Sequence, residues 1–239
     1  MKKIEILMAT YNGENYIEEQ IQSIKNQTYK DWILTIRDDN SKDKTVEIIK
    51  KYVNEDNRIK LIEDSKGNLG YTKNFEELLS VSIGEYLFFV DQDDVWKSNK
   101  LEKCIQYLKE YQVVHHNAYV FFENKEFKNE TIIKKVEKNL LKNLLFPNYI
   151  GCCMALRREF LEMVLPFPKY FPSHDIWIGL IADLTKNICY INDFLIFYRR
   201  HQNNTSYLTQ KSKNRLWTKI KYRYYYIIYP VLRLLNRRK

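Results

Sequence analysis

Glycine, proline and cysteine are scarce in this sequence, whereas aromatic residues are abundant. The 239 residues include 6 glycines, 5 prolines and 4 cysteines, against 19 tyrosines and 12 phenylalanines. This composition is typical of a packed globular protein and argues against a disordered chain. The length allows one large domain or a domain with an appendage.

Long apolar runs and paired metal-binding cysteines are also missing. No stretch approaches the roughly 20 apolar residues that a membrane span needs. The amino terminus, MKKIEILMATYN, begins like a signal peptide, but Glu5 interrupts an apolar run that is already too short. No CxxC or zinc-type spacing links the cysteines, which are Cys104, Cys152, Cys153 and Cys189. We therefore expect a cytoplasmic protein whose thiols are reduced.

Acidic residues are absent from the carboxyl-terminal part of the chain. None follows Asp193, whereas twelve of the 39 lysines and arginines do, so the net charge of +9 has its origin there. Residues 1–193 carry 27 basic and 30 acidic side chains and are nearly neutral. The asymmetry predicts a domain with a basic appendage that binds an anionic partner.

Strand and helix patterns alternate over the first half of the chain. Short apolar segments predict strands at residues 4–9, 32–37, 59–63 and 86–90. Amphipathic spacing predicts helices at residues 14–27, within residues 68–82 and at residues 97–111. A further helix is predicted to begin after Ser41, which would be its N-cap. Because helix-length crossovers join these strands, we expect a mostly parallel sheet with helices on both faces.

The second half of the chain is less regular. Strands are predicted at residues 119–123, 150–156, 188–191 and 195–198, and helices at 140–146, after Arg158 and at 175–184. We divide residues 1–205 into halves at residue 112 and treat residues 206–239 as a basic, amphipathic helical tail.

Polar clusters follow three of the predicted strands. They occupy residues 10–12, 38–40 and 91–94. In open parallel sheets ligands bind beyond the carboxyl ends of the strands, so we expect the three clusters to converge on one site.

The stretch VDQDD, residues 90–94, could bind a cation. Asp91 and Asp93 are two residues apart, so in an extended turn both carboxylates can point to the same side. Mg²⁺ takes oxygen ligands and is often bound by one or two carboxylates. Alternatively, Asp94 or Ser98 caps the following helix, and the other carboxylates lie in a solvated loop. Spacing alone leaves both interpretations open.

The form DQDD-x-W resembles the D-x-D motif of family-2 glycosyltransferases with the GT-A fold. Four further stretches share the resemblance: MATYNGENYIEEQIQSIKNQTYKDWILTIRDDNSKDKT, GNLGYTKNFEELL, SHDIWIGL and YRRHQNN. Together they span roughly residues 3–205 in the family's order. The resemblance implies a Rossmann-like α/β domain. The forms DQDD-x-W and YRRHQNN look most like bacterial rhamnosyltransferase-type members.

The resemblance also implies a nucleotide-binding site. Tyr11 would stack on a pyrimidine, and Asp39 would accept a hydrogen bond from its N3–H. The residues alone also allow another interpretation, in which Tyr11 is a core aromatic and Asp39 belongs to a turn before Ser41. The implied nucleotide-binding set is Ala9, Tyr11, Asp39, Lys66, Asn68, Gly70, Asp91 and Gln92.

The implied metal is Mg²⁺ or Mn²⁺. Asp93 matches the family's metal ligand, with Asp91 on the ribose or a metal-bound water and His201 as a further candidate. Arg199 and Arg200 are candidates for contact with the diphosphate. Asp94 is expected to be structural.

Asp175, in SHDIWIGL, matches the family's catalytic base. A carboxylate in this role must lie within hydrogen-bond reach of the acceptor hydroxyl. The competing interpretation is that Asp175 only stabilises the dipole of the helix that begins there.

The basic tail carries an apolar stripe. Its members recur at helical spacing and are Leu216, Ile220, Tyr224, Ile227, Val231 and Leu234. Trp217 and flanking basic residues predict association with an anionic membrane surface, although Pro230 would bend or end the helix. The alternative is a terminal helix packed on the domain. No nucleic-acid motif accompanies the tail, so nucleic acid is not an expected partner.

Together these features predict an inverting, metal-dependent glycosyltransferase on the inner face of the cell membrane. It would transfer a sugar from a UDP- or dTDP-sugar, dTDP-rhamnose among them, to a lipid-linked or growing surface polysaccharide such as a capsule or O-antigen. One alternative is a nucleotidyltransferase acting on sugar phosphates, but the segment after the first strand, ATYNGEN, has no basic residue. The second alternative is a non-catalytic, membrane-bound glycan-binding protein. Such a protein would tolerate the loss of Asp93 or Asp175.

Overall fold

The computed structural model describes residues 3–122, 131–132, 139–201 and 216–237. The strands are β1 Ile4–Thr10, β2 Trp32–Asp38, β3 Ile59–Ile62, β4 Tyr86–Asp91, β5 Val95–Trp96, β6 Val113–Phe122, β7 Thr131–Ile132, β8 Met154–Arg157 and β9 Ile188–Arg200. The α-helices are α1 Ile17–Lys25, α2 Thr45–Glu55, α3 Tyr71–Val81, α4 Lys100–Leu108, α5 Leu140–Leu145, α6 Leu161–Val164, α7 His174–Leu184 and α8 Leu216–Asn236.

The strands form one sheet in the order β3-β2-β1-β4-β8-β6-β9-β5, and β7 pairs with β6. From β3 through β4 all neighbours are parallel. β8 then runs antiparallel to both β4 and β6, and β9 is parallel to β6. The α/β class and the parallel first half are therefore confirmed.

Apolar side chains cover both faces of the central strands. β4 has buried residues from Tyr86 to Val90, as expected for a strand with helices on each side. On one face the sheet packs against α1, α2 and α4, with Ile17, Ile21 and Ile24 among the buried residues. On the other it packs against α3 and α7. The helices are thus on both faces, as predicted.

The second half differs from the prediction in its strands. β6 begins at Val113, six residues before the predicted start, because pairing with β8 and β9 extends it through the polar residues His115 and His116. β9 is one strand and not two. The polar pair Asn192 and Asp193 falls where the β6–β9 register is irregular, so the chain passes them without leaving the sheet.

The predicted helix caps are wrong. α2 begins at Thr45, after Lys44, whereas Ser41 makes a turn in which its N–H and hydroxyl donate to Asp38 at 2.7 and 2.6 Å. α4 is preceded by Asn99, so neither Asp94 nor Ser98 is its N-cap. Asp38 holds Ser41 in a turn outside α2, and helical spacing alone does not show this.

The terminal helix α8 packs on the domain. Tyr226 is buried, and its ring lies 5.7 Å from that of Phe171. Arg233 donates to the carbonyl oxygen of Leu165 at 2.8 Å and to that of Pro166. Pro230 lies within the helix, which continues past it. Among the described residues, no helix is long and apolar enough to cross a bilayer.

Glu5 is a buried carboxylate at the start of the sheet. It accepts hydrogen bonds from the Thr35 hydroxyl and from the backbone N–H groups of Ile83 and Gly84, each at 2.7 Å. A Cβ on Gly84 would lie 2.5 Å from the Glu5 Cβ, so the turn before β4 fits tightly against this residue. Glu5 therefore joins β1, β2 and the entry to β4.

We expect Glu5→Ala to lower the free energy of unfolding by about 3 kcal/mol, because it removes the acceptor of three hydrogen bonds, of which those from the Thr35 hydroxyl and the Gly84 N–H are buried. Glu110→Ala, which removes an exposed carboxylate, is the matched control and should change the unfolding free energy by less than about 0.5 kcal/mol. Urea denaturation of both variants measures the difference. Equal effects in the two variants would contradict the role of Glu5.

Candidate functional site

A cavity of about 840 Å³ opens at the carboxyl ends of β1 and β4. Its lining comes from the segment after β1, the segment after β4, the start of α3, residues 147–151 and the start of α7. Two of the three predicted polar clusters line it directly, and Asp39 represents the third. The expected convergence of the clusters is therefore what the structure shows.

The aspartates that follow β4 have different surroundings. Asp91 and Asp93 line the cavity, whereas Asp94 is buried with 1% of its surface exposed. Asp94 accepts a hydrogen bond from the backbone N–H of Arg199 at 3.2 Å, and the Arg199 side chain donates to the backbone oxygen of Asp93 at 2.8 Å. β9 thus holds the turn that presents the other two carboxylates.

Burial, Asp93 and Asp175 together raise the pKa of Asp91 to about 7. Burial, followed by the charges of Asp93 and Asp91, raises the pKa of Asp94 well above its usual value. A carboxylate in such a position resists ionisation unless a positive charge is nearby. The carboxylates around the end of β4 therefore form a site where a cation would be strongly stabilised.

The ligand atoms of Asp91, Asp94 and Cys152 lie within 4.8 Å of one another. Burial raises the pKa of the Cys152 thiol well above its usual value, so the sulfur stays protonated and is a poor ligand for a hard cation. Carboxylate oxygens suit Mg²⁺ and Mn²⁺. Of the carboxylates in this turn, those of Asp91 and Asp93 line the cavity.

His201 contacts this carboxylate group directly. It follows the end of β9, and its Nε2 lies 2.8 Å from Oδ2 of Asp93. Its ring stacks on Tyr16 at a centroid distance of 4.5 Å. His201 can thus fix the orientation of Asp93 or bind the same cation, and the two residues that the family resemblance named as metal candidates do lie in contact.

Tyr11 is 48% exposed and lines the cavity, so it is not a core aromatic. Gln92 holds its backbone in place by accepting from the Tyr11 N–H at 2.8 Å and donating to the Tyr11 carbonyl at 2.9 Å. A Cβ on Gly13 would lie 2.4 Å from Gln92 Oε1. Gln92 therefore supports the presentation of the Tyr11 ring.

Asp39 is buried but reaches the cavity wall. It accepts from the N–H groups of Leu69 and Gly70, both at 2.8 Å, and from the Arg37 guanidinium at 2.9 Å. Gly70 has φ +79°, a conformation that L side chains rarely adopt. Asp39 thus fixes the glycine-containing loop as well as facing the cavity.

The other predicted nucleotide residues fall into two groups. Ala9, Asn68 and Gly70 line the cavity. Lys66 lies outside the lining, and its ammonium pairs with Glu77. The structure therefore brings this loop to the cavity through its glycine-containing part and not through the lysine side chain.

Asp175 lies in the first turn of α7 and lines the cavity. Its Oδ1 accepts from the Ser173 hydroxyl and, at 2.7 Å, from the Ile176 N–H. The neighbouring His174 is buried, with its ring 4.2 Å from that of Phe75. The helix start therefore orients Asp175, and the same carboxylate faces the space where ligands would bind.

Neither arginine proposed for the diphosphate lines the cavity. Arg199 is buried and uses its guanidinium on Asp93 and on Glu19. Arg200, at the end of β9, is half-buried and lies outside the lining as well. Arg199 therefore supports the aspartate turn from behind.

Sequence reasoning missed two buried cations. Arg37 binds Asp39, Asp64 and the Gly67 carbonyl, and it fixes both ends of the loop between β3 and α3. Lys100 is fully buried, donates to the Cys152 carbonyl at 2.6 Å and lies 3.7 Å from the Trp96 ring. The sequence offered one indication of their burial, since each is a charged residue within an otherwise apolar pattern.

It also missed the far wall of the cavity. This wall includes Tyr149, Ile150, Gly151 and Tyr198. A Cβ on Gly151 would lie 2.6 Å from His174 Nε2, so the glycine allows the wall to approach α7 closely.

Comparisons with known proteins agree with this geometry. The sequence model described as "Glycosyl transferase family 2" matches residues 5–165. An uncharacterized glycosyltransferase of Methanocaldococcus jannaschii is 32% identical over 227 residues, which is 90% of this chain and 76% of that protein. An Escherichia coli UDP-Glc:alpha-D-GlcNAc-diphosphoundecaprenol beta-1,3-glucosyltransferase is 31% identical, over 90% of this chain and 83% of its own.

Solved structures show the same fold at low identity. Staphylococcus aureus TarS 1–349 in complex with UDP-GlcNAc superposes with a TM-score of 0.69 at 22% identity, covering 86% of this chain and 61% of that one. The chain thus spans less than two thirds of this crystallised relative. With a GT-A-like fold and a match over most of its length, the chain belongs to glycosyl transferase family 2.

Proposed function

We propose that this protein is an inverting glycosyltransferase that transfers a sugar from a UDP- or dTDP-sugar to a lipid-linked surface-glycan precursor. The observation that carries the proposal is the meeting of Asp91, Asp93 and Asp175 on one cavity, although β4 and α7 are far apart in sequence. The Escherichia coli relative's name specifies UDP-Glc and a diphosphoundecaprenol-linked acceptor. dTDP-rhamnose remains a candidate donor from the sequence resemblance.

The nucleotide base fits the side of the cavity at β1. The exposed face of Tyr11 offers a stacking surface, and Asp39 offers a carboxylate at the wall beside it. An aromatic face next to one acceptor suits a uracil or thymine ring, whose N3–H is a donor. Asn68 and Gly70 close the same side of the cavity.

The diphosphate belongs beside Asp91 and Asp93. These two residues would hold Mg²⁺ or Mn²⁺, with His201 orienting Asp93 or joining the ligand set. When bound, the cation offsets the negative charge that develops on the leaving diphosphate. The chain's own contribution is to fix this turn through Arg199, whose contacts to Asp93 and Asp94 hold the carboxylates at the cavity wall.

Asp175, in the first turn of α7 at the cavity wall, would act as the base. It would remove the proton from the acceptor hydroxyl as the new glycosidic bond forms on the face opposite the leaving group. A carboxylate is a usable base only when it is held within hydrogen-bond reach of the hydroxyl. Ser173 and the Ile176 N–H provide that orientation.

The geometry disfavours a nucleotidyltransferase. Such an enzyme needs free backbone N–H groups after the first strand to bind phosphate. Here each of the four backbone N–H groups after β1 already donates to a side chain. Tyr11 donates to Gln92, Asn12 to Ser41, Gly13 to Thr45 and Glu14 to Asp43. The loop after β1 is therefore already satisfied and offers no phosphate cradle.

The membrane association of α8 is part of the same proposal. The helix packs on the domain through its tyrosine-rich face and leaves Ile220, Tyr224, Ile227 and Val231 exposed on the opposite face. A helix with an apolar face and basic flanks lies in the headgroup region of a bilayer. We infer that the protein is peripheral on the inner face of the cell membrane, where a lipid-linked acceptor is available.

Asp93→Ala should weaken metal-dependent donor binding by about 100-fold or more, because it removes a cation ligand and the partner of His201. Titration calorimetry with UDP- and dTDP-sugars, with and without Mn²⁺, measures the effect. Asp31→Ala removes an exposed carboxylate and should bind as the wild type does. Unchanged affinity in Asp93→Ala would exclude Asp93 as a metal ligand.

Asp175→Asn should leave donor affinity unchanged and lower the transfer rate by about 10³-fold, since it keeps the shape but cannot accept a proton. The readout is nucleotide release with lipid-linked acceptor extracts over a donor panel. Transfer at the wild-type rate would remove Asp175 from the base role. If no nucleotide sugar is consumed by the wild-type protein under these conditions, the proposed activity is wrong.

Trp217 is a natural probe of the membrane prediction. It is 80% exposed, whereas Trp32, Trp96 and Trp177 are buried. We expect vesicles of brominated anionic phospholipid to quench its fluorescence, and the Trp217→Phe variant to show no such quenching. Absence of quenching in the wild-type protein would exclude insertion of α8.

A further inference from the structure

A second apolar surface lies outside the tail, on α5 and the loop before α7. Leu141 is 74% exposed and Phe146 62%, and Leu145 and Tyr170 are exposed as well. Large apolar side chains grouped on the surface mark interaction sites, whereas single exposed ones are common.

This surface adjoins the outer face of α8. α5 packs against α8, and the Arg223 guanidinium lies 5.1 Å from the centre of the Phe146 ring. Six exposed apolar residues of α8 recur at three- and four-residue intervals and therefore share one face. They are Trp217, Ile220, Tyr224, Ile227, Val231 and Leu235, and Leu232 is exposed as well.

Exposed lysines accompany the apolar side chains. Lys142 follows Leu141, Lys169 lies with its ammonium 5.5 Å from the Tyr170 ring, and Lys221 follows Ile220. Glu162, an exposed acid on α6, forms an ion pair with Arg237. Apolar side chains bordered by lysines match the boundary of a bilayer that carries anionic headgroups.

The cavity begins where this surface ends. Phe146 immediately precedes Pro147, and Tyr170 precedes Pro172 by two residues, and both prolines line the cavity. The exposed residues are therefore one and two residues along the chain from the cavity lining. These are the same two segments that lead to Tyr149 and to Asp175.

We propose that α5, Tyr170 and the outer face of α8 form one docking surface for an anionic phospholipid bilayer, with the cavity opening at its edge. The proposal rests on the membrane association of α8 stated above and extends it to a second element. It assigns the far wall of the cavity, at residues 147–151, to an acceptor that arrives from the bilayer.

A bilayer fits this surface better than a second copy of the chain. In a symmetric dimer the patch faces a copy of itself, so a surface bordered by Lys142, Lys169 and Lys221 would face another surface of the same charge. Like charges in contact oppose association, whereas anionic headgroups attract all three.

The double variant L141Q/F146Q tests the contribution of α5 without changing charge. On vesicles of phosphatidylglycerol and phosphatidylcholine, we expect partitioning of the full chain to fall by about tenfold, because two apolar side chains no longer enter the bilayer. Both positions are exposed, so the variant should keep the wild-type melting temperature. The matched control is V81Q/I83Q, which changes two exposed apolar residues at and just after the end of α3, whereas the start of α3 lines the cavity. This variant should partition as the wild type does.

Depth is measured independently with L141W in a W217F background. Brominated phosphatidylglycerol should quench the fluorescence of the new tryptophan at position 141. If Trp217 is quenched but the residue at 141 is not, α8 alone meets the bilayer and the proposed surface is wrong. Wild-type partitioning of L141Q/F146Q, or an equal loss in V81Q/I83Q, would also overturn it, whatever the result of the transfer assay.

Discussion

Repulsion among the carboxylates around the end of β4 is the constraint on which the arrangement of this domain depends. Asp91 and Asp93 face the cavity and Asp94 is buried behind them, while Asp175 faces them from α7. Close carboxylates must either take up protons or receive positive partners. The protein uses β9 for this purpose, since Arg199 and His201 both contact the turn. The carboxyl-terminal half of the chain therefore completes a site that the amino-terminal half begins.

A second electrostatic centre organises the side of the cavity next to β2, where we propose that the nucleotide base binds. Arg37 is buried within β2, where it joins Asp39 to Asp64 and thereby to the loop before α3. A buried guanidinium is stable only when carboxylates and carbonyl oxygens satisfy its donors, so these partners are fixed together. Asp39 is consequently held by Arg37 on one side and by two backbone N–H groups on the other. Rigidity of this kind suits a group that must meet one edge of a base.

The terminal helix combines the two interpretations that its sequence left open. Its tyrosine-rich face joins the core through Tyr226, and Arg233 binds carbonyl oxygens near α6, so α8 is part of the domain. Its opposite face remains apolar and exposed beside α5. A helix that is held on one face and apolar on the other fixes the orientation of the domain relative to whatever it contacts. Packing on the domain and binding to a membrane are therefore compatible.

The sequence by itself determined the parallel α/β core, the convergence of polar clusters at the strand ends, and the family to which the chain belongs. The sequence shows these features because apolar periodicity and short motifs such as DQDD-x-W involve residues that are close together along the chain. It did not determine the start of β6, the continuity of β9, or the buried partners Arg37 and Lys100, since each depends on pairing between segments distant in the chain. Only the tertiary structure placed His201 on Asp93 and α5 beside α8. Those contacts arise from how the sheet closes and which faces pack, and neither is encoded in the spacing of any one segment.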